Sequence, residues 1–414
     1  MKKTVGIRDP LYGFIEITEN EKAVIDSPAF QRLRGIKQLS TSYLVFPSAE
    51  HSRFSHSIGA MYLAGKIAER LGLDEDKTEI LRLGALLHDI GHGPFSHLFD
   101  RISEKANRNK NVFDHEKQGL KILSATLKDV LDDRLPKILS VFNTEASLLH
   151  RLISGGIDCD KMDYLRRDSH HVGVKYGNFD IDRILFTMSY EGEFPCILAK
   201  GFDAIEGFRL AREQMHTQVY THHTRLIADE MLVRAAEYAS REDEDRNMLT
   251  SMETTIGSVS AYLKTDDSAL IYDLSKSSNI LCQKIISRFR YRELYKRAFV
   301  SPVKDLGPQY SLDLMSKDTA DDYLNEVASV LAKKVALPVE EIYVLSTTLN
   351  MKQYQGMKSG EPIMVKTEDG DLKEYGEMAY LRRSGDDDPQ KIMIFGPSDK
   401  VTEIRSAAIS QLMM

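Results

Sequence analysis

Five residues of one short stretch, LRLGALLHDIGHGPFSHLFD from Leu81 to Asp100, are types that bind metal ions or carry protons: His88, Asp89, His92, His97 and Asp100. Leu83, Leu86, Leu87 and Ile90 recur at helical spacing, and Gly91, Gly93 and Pro94 are expected to stop that helix. A lone buried His–Asp pair is most simply a self-satisfied core contact. Here the pair has company. HSRFSHSIG upstream carries His51, Arg53 and His56, and GIDCDKMDYLRRDSHH downstream carries Asp158, Asp160, Lys161, Asp163, Tyr164 and Asp168. Such a gathering suits metal-assisted hydrolysis with a proton donor. A zincin is disfavoured: His88 and His92 are four apart, but Asp89 replaces the glutamate of H-E-x-x-H, and Gly91 lies inside the turn.

The elements that must position these residues are mainly helical. TVGIRDPLYGFIEI predicts a small β-hairpin broken at Asp9-Pro10 and Gly13. Ser27-Pro28 starts a helix with Phe30, Leu33 and Ile36 inward, and Arg32, Arg34 and Lys37 are read as its solvated face. Residues 56–70 follow as a helix with Ile58, Met61, Tyr62 and Ile67 inward. LGLDED is a turn before the central helix, and SEKANRNKN reads as a polar loop after it. A helix opens at Asp114-His115-Glu116, and helices dominate to about residue 175. One long helix is expected from Phe208 to Ala239, a solvated turn at Arg241–Arg246, and helical pattern to about Phe299.

Beyond residue 299 the texture changes. Ser301-Pro302, Gly307-Pro308 and SKDTADD suggest a junction, so the reading is a domain of residues 1–298 and an accessory α+β domain of residues 299–414. The latter is expected to hold a helix (Asp321–Val335), the strand EIYVLST, a hairpin turning at Asp369-Gly370, the strand KIMIFG and a closing helix Ser398–Met413 capped by Ser398.

At 414 residues the chain can bury a large core. Its 42% hydrophobic and 28% charged content is that of a soluble protein, and a net charge of −7 provides no global field for nucleic acid. Three cysteines without CxxC spacing fit a reducing cytoplasm. No signal peptide or spanning helix is visible, so no membrane role is expected.

The order His56, His88-Asp89, Asp160, with the flanking words RF-H-S, LLHD-GHGPFSH and GID-DK-DY, resembles the HD-domain phosphohydrolases. Within them it is most similar to the deoxynucleoside triphosphate (dNTP) triphosphohydrolases, in particular their compact prokaryotic members. The resemblance implies a helical HD core and hydrolysis of dNTPs to a deoxynucleoside and inorganic triphosphate. It implies one divalent transition metal (Mn, Fe, Zn or Ni) on His56, His88, Asp89 and Asp160, with magnesium accompanying the nucleotide. Two imidazoles and two carboxylates suit such an ion.

Further roles follow from the same resemblance. Arg53 would hold the α-phosphate, and His115, oriented by Asp100, would protonate the leaving oxygen. His92 and His97 would line the phosphate path. Lys161, Tyr164 and Arg212 would grip the terminal phosphates. Gln38 and Asp168 would read the sugar 3′-hydroxyl, Leu39 would pack on sugar or base, and Tyr220 would close the 2′ edge. Thr221 departs from the family pattern near the base. Asp26, Gln31 and Arg34 match a guanine-nucleotide activator site, although Val5 stands where that site has a basic residue. The family also implies a homo-oligomer, a dimer or tetramer. The alternatives are another HD nucleotide phosphohydrolase or phosphodiesterase, and a nucleotide-sensing scaffold.

Overall fold

The computed structural model describes residues 3–106, 113–144, 146–240, 257–307, 320–346, 362–378 and 390–413. The expected turn at Arg241–Arg246 and the SKDTADD segment up to Thr319 lie outside these residues. Among the described residues, no helix is long and apolar enough to cross a membrane. The fold is mainly helical, with three small sheets among the described residues.

Strands β1 (Lys3–Asp9) and β2 (Gly13–Thr18) form the expected antiparallel hairpin, with Ile7 opposite Ile15. At its turn Asp9 Oδ1 accepts the Leu11 N–H at 2.8 Å. The Arg53–Leu71 helix is the spine of the site. Its buried face includes Ile58, Met61, Ala64 and Ile67, and each large apolar side chain so buried stabilises by about 1.5–3 kcal/mol. The Glu75–Leu87 and Cys159–Val172 helices pack on it. Gly59 sets that crossing: a Cβ there would lie 2.0 Å from Asp163 Oδ1 and 2.3 Å from Arg167 Nη2. The helix of Leu83, Leu86 and Leu87 ends at Leu87, short of the glycines. His88 and Asp89 therefore stand in the turn that follows. Gly91 has a different task from stopping the helix: a Cβ there would come within 2.0 Å of the His115 carbonyl oxygen. Its absence lets the turn abut the His115–Thr126 helix.

Further expectations need correction. The SEKA part of SEKANRNKN continues the Leu98–Ala106 helix rather than forming a loop. Arg32 is buried rather than solvated: its Nε donates to the Thr265 carbonyl at 2.8 Å and its Nη1 to that of His92 at 2.9 Å. The single helix expected from Phe208 to Ala239 is two, Phe202–Met215 and His223–Ala239, joined by a π-helical turn at His216–Tyr220. There the Thr221 N–H and hydroxyl both donate to the His216 carbonyl, at 3.0 and 2.9 Å, so the turn closes five residues back rather than four. Helical pattern does not reach Phe299 either: the Ile280–Arg290 helix stops, Arg292 adopts φ 57°, and strand β5 (Lys296–Pro302) follows.

Strands β3 (Met188–Glu191) and β4 (Phe194–Leu198) lie in the helical part of the chain. Strand β6 (Tyr343–Ser346) and the hairpin of β7 (Met364–Lys366) and β8 (Leu372–Glu374) appear as expected, as does β9 (Lys391–Gly396). The sheet β5-β9-β6 is antiparallel and packs on the Ala320–Lys334 and Val401–Leu412 helices in a core of its own. Ser398 does not cap the last helix, which begins at Val401 behind a short 3₁₀ turn over Ser398–Lys400. The residue 298/299 division falls inside β5, and β7 pairs in parallel with β4, joining late chain to early chain.

Candidate metal centre and substrate cavity

His56 comes from the first turn of the Arg53–Leu71 helix, His88 and Asp89 from the turn after Leu87, and Asp160 from the first turn of the Cys159–Val172 helix. Three elements distant in sequence thus bring the four expected ligands together. His56 Nε2 lies 3.0 Å from Asp160 Oδ1, and His88 Nε2 lies 3.6 Å from the same oxygen. Ligand atoms of His56, His88 and Asp160 all fall within 4.8 Å of one another. Asp89 adjoins them, 3.5 Å from His56 Nε2 and 3.3 Å from His88 Nε2, while its Oδ2 also accepts from Arg53 Nη1 at 2.6 Å.

The residues fit a divalent cation. Each ring has its Nδ1 engaged, His56 with Asp163 at 2.8 Å and His88 with the Ala85 carbonyl at 2.8 Å. Each Nε2 is buried and faces the carboxylates, with Asp160 Oδ1 nearest to His56. Burial works against a charged His56, but hydrogen bonds to Asp160 and Asp163 outweigh it and lift its pKa to about 10. Burial likewise opposes ionisation of Asp160, yet His56 and His88 hold that carboxyl far below its ordinary range. A field that draws a proton this strongly also draws a cation.

Beyond Asp89 stands a second histidine group. His92 and His115 stack at 4.0 Å, and His97 meets both rings edge-on. Burial, then the Arg53 charge, pushes His92 well below the ordinary histidine value, and burial lowers His97 despite Asp100. His115 differs. Burial opposes its charge, but the hydrogen bond and charge of Asp100, 3.6 Å away, raise its pKa. Of the three, His115 is the ring equipped to give up a proton at neutral pH.

A cavity of about 590 Å³ joins these groups, lined by Arg53, His88, Asp89, His92, His97, His115 and Asp160 and by the expected Gln38, Leu39, Lys161, Tyr164, Asp168 and Tyr220. His56 and Asp100 stand behind the lining. Arg212 does not line the cavity, although its charge acts on Tyr164. Lys161 Nζ is held by Asp158 at 2.7 Å, and Arg53 Nε donates to Ser96 Oγ at 2.9 Å. Asp26, Gln31 and Arg34 lie away from the cavity. There Arg34 Nε donates to Gln31 Oε1 at 2.8 Å, and the guanidinium sits over Phe54 at 3.5 Å.

Several residues of the site carried no assigned role in the sequence. Asp163 backs His56 and is gripped by Arg167, which reaches Asp9 of the hairpin at 2.9 Å. Its signal was its place three residues after Asp160 on one helix face. His150, His216, Arg225 and Lys117 also line the cavity, and nothing local marks them. The loop after Gly91 is clamped from afar. Tyr262 Oη donates to the Gly91 carbonyl at 2.7 Å, and the Phe95 N–H donates to Asp267 Oδ1 at 2.5 Å. These hold Phe95 and Ser96 at φ 60° and 58°, a left-handed pair that costs roughly 1–2 kcal/mol per residue.

Known proteins resemble this chain in sequence and fold. The HD domain family matches residues 53–168, and the family described as HD associated region matches residues 179–414. The chain is 39% identical over 307 residues to a protein of Methanocaldococcus jannaschii, covering 73% of this chain and 61% of that one. It is 27% identical over 402 residues to YwfO of Bacillus subtilis, covering 91% and 88%. It is 29% identical over 410 residues to the human deoxynucleoside triphosphate triphosphohydrolase SAMHD1, covering 86% and 64%. The chain thus spans less than two thirds of the archaeal and human relatives. A phosphohydrolase crystal structure from Bacteroides thetaiotaomicron superposes with a TM-score of 0.75 at 25% identity, covering 95% of this chain and 100% of that one. With an HD domain matched around His56, His88, Asp89 and Asp160 and its associated region matched over more than half of the chain, the protein belongs to the HD-domain phosphohydrolase superfamily.

Proposed function

We propose that the protein is a metal-dependent dNTP triphosphohydrolase that releases a deoxynucleoside and inorganic triphosphate. The observation that carries this reading is that one cavity holds both the cation-attracting cluster with its proton-donating His115 and, in Gln38, Asp168 and Tyr220, side chains suited to a sugar. The likeness to SAMHD1 supports it.

His56, His88, Asp89 and Asp160 would hold a transition metal ion, which when bound lowers the pKa of water and neutralises phosphate charge. Arg53 positions the α-phosphate, and Lys161 and Tyr164 bind the outer phosphates with any accompanying magnesium, Arg212 adding its charge from behind Tyr164. Water oxygen bonds to the α-phosphorus, the bond to the sugar 5′-oxygen breaks, and His115 donates its proton to that oxygen. His92 and His97, kept neutral by burial, add no cation that would compete for Asp100. Tyr220 stands where a 2′-hydroxyl would crowd it, so ribonucleotides are poor substrates. In the same reading Asp26, Gln31 and Arg34 receive a guanine-nucleotide activator between subunits of a dimer or tetramer.

The test is to incubate metal-loaded protein with each dNTP and NTP, with and without GTP, and to resolve products while following mass by light scattering. One-step triphosphate, carrying the label when the water is enriched in heavy oxygen, is expected. Stepwise orthophosphate, or equal rates on ATP and dATP, rejects the reading in favour of another HD nucleotide phosphohydrolase. If Arg34→Ala changes neither rate, GTP response nor mass, the activator assignment falls by itself.

A further inference from the structure

His51 is buried beside the cavity and has no task in the reaction as described. Its Nε2 lies 2.7 Å from Asp168 Oδ1, and on the other side Tyr220 Oη donates to Asp168 Oδ2 at 2.7 Å. The His51 ring stacks on His171 with centroids 4.5 Å apart and planes 12° apart, which fixes its orientation. Its Nδ1 is buried with no hydrogen-bond partner. A proton on that nitrogen would be a buried donor without an acceptor, so the proton belongs on Nε2, facing the carboxylate. Both oxygens of Asp168 are then already supplied with donors. A carboxylate accepts about four hydrogen bonds, and Asp168 lines the cavity, so what remains can only accept. The same residue is tied to the second sugar contact through its backbone: the Gln38 N–H donates to the His51 carbonyl at 3.0 Å.

We propose that His51 is a positioning residue that fixes Asp168 as an acceptor-only contact, so that the cavity selects ligands presenting a hydroxyl donor there over ligands that carry hydrogen instead. This rests on the dNTP reading in one respect, that the hydroxyl is the sugar 3′-hydroxyl. His51 acts through Asp168 and, by its backbone, aligns Gln38. A phenylalanine at position 51 keeps a ring to stack on His171 but removes the donor, whereas a glutamine restores an N–H.

The experiment compares kcat/KM for dATP and 2′,3′-dideoxy-ATP in the unaltered protein, His51→Phe and His51→Gln, with metal content measured in each. The expected result is a dATP preference that falls about ten-fold or more in His51→Phe through a higher KM for dATP, with dideoxy turnover and metal content held. His51→Gln recovers most of it. Equal slowing of both nucleotides in His51→Phe, or no recovery in His51→Gln, makes His51 merely structural and overturns the proposal. A second arm needs no substrate. In protein labelled with nitrogen-15 histidine, the His51 Nε2–H should give a low-field proton resonance that is lost in Asp168→Asn. Absence of that resonance, or its persistence in Asp168→Asn, overturns the proposal even if dNTP hydrolysis itself is not found. Failure of triphosphate release with the resonance present rejects only the dNTP reading.

Discussion

On one side of Asp89, His56 and His88 sit among Asp89, Asp160 and Asp163; on the other, His97 and His115 share Asp100, and His92 turns back to Asp89 itself. Both groups are buried, so desolvation disfavours the imidazolium in each. The outcome differs because the ratio of carboxylates to rings differs. The first group is short of positive charge and raises both its histidines; the second raises His115 alone. In the proposed reading, then, residue type does not separate a metal ligand from a proton donor; the carboxylates around each ring do.

The comparison breaks most completely at the first group. Asp160→Ala and the double change His88→Ala/Asp89→Ala should each abolish turnover and strip the ion, of which unaltered protein should hold about one per chain. Elemental analysis that finds an equally full site in these variants removes the residues from the ligand role.

The second group is tested next. His115→Ala should reduce turnover by about two to four orders of magnitude. Because Asp100 raises the His115 pKa, the donor form persists above the ordinary histidine range, and kcat should fall only as pH rises past that raised value. Asp100→Asn takes away the hydrogen bond and the charge, so the alkaline limb should move to lower pH. A limb that stays in place assigns the proton to another group.

A finer probe is Asp163→Asn, which leaves the ligands intact but weakens the partner that orients His56. Metal affinity should drop about 10- to 100-fold, and turnover should return when metal is added in excess. Loss that added metal cannot repair points instead to collapse of the Asp163–Arg167–Asp9 chain.

The smallest effect lies outside both groups. Burial pushes the Asp267 carboxyl up to about 7 although the N–H groups of Lys37 and Phe95 donate to it. Between the ordinary carboxylate range and about 7, the folded protein binds this proton and the unfolded chain does not. The contribution of Asp267 to stability is therefore present at low pH and is lost as pH rises to about 7. Thermal midpoints measured from pH 5 to 8 should show a flatter profile in Asp267→Asn than in unaltered protein; parallel profiles reject the assignment.

Legibility from sequence followed physical locality. The four proposed metal ligands and the proposed general acid stand in words that read as motifs, and strands such as KIMIFG announce themselves by composition. Arg32 was misread because a buried arginine and a solvated one look alike on a helix face; only the Thr265 and His92 carbonyls distinguish them, and one of these is more than two hundred residues away. The break at His216–Tyr220 is a shift from four-residue to five-residue backbone bonding at the His216 carbonyl, which apolar spacing does not report. Tyr262 and Asp267 touch the loop after Gly91 across some 170 residues, and no local pattern encodes such a contact.

That last clamp has a consequence for how the protein is made. All four proposed metal ligands have been synthesised once Asp160 has emerged, but the left-handed pair Phe95–Ser96 lacks its restraint until Tyr262 and Asp267 follow. At ordinary elongation rates this interval of about a hundred residues lasts roughly 5–20 s. During it the nascent chain carries the ligands without the loop that aligns Arg53 through Ser96. The finished site is thus a late product of translation, completed by the region that contributes no metal ligand.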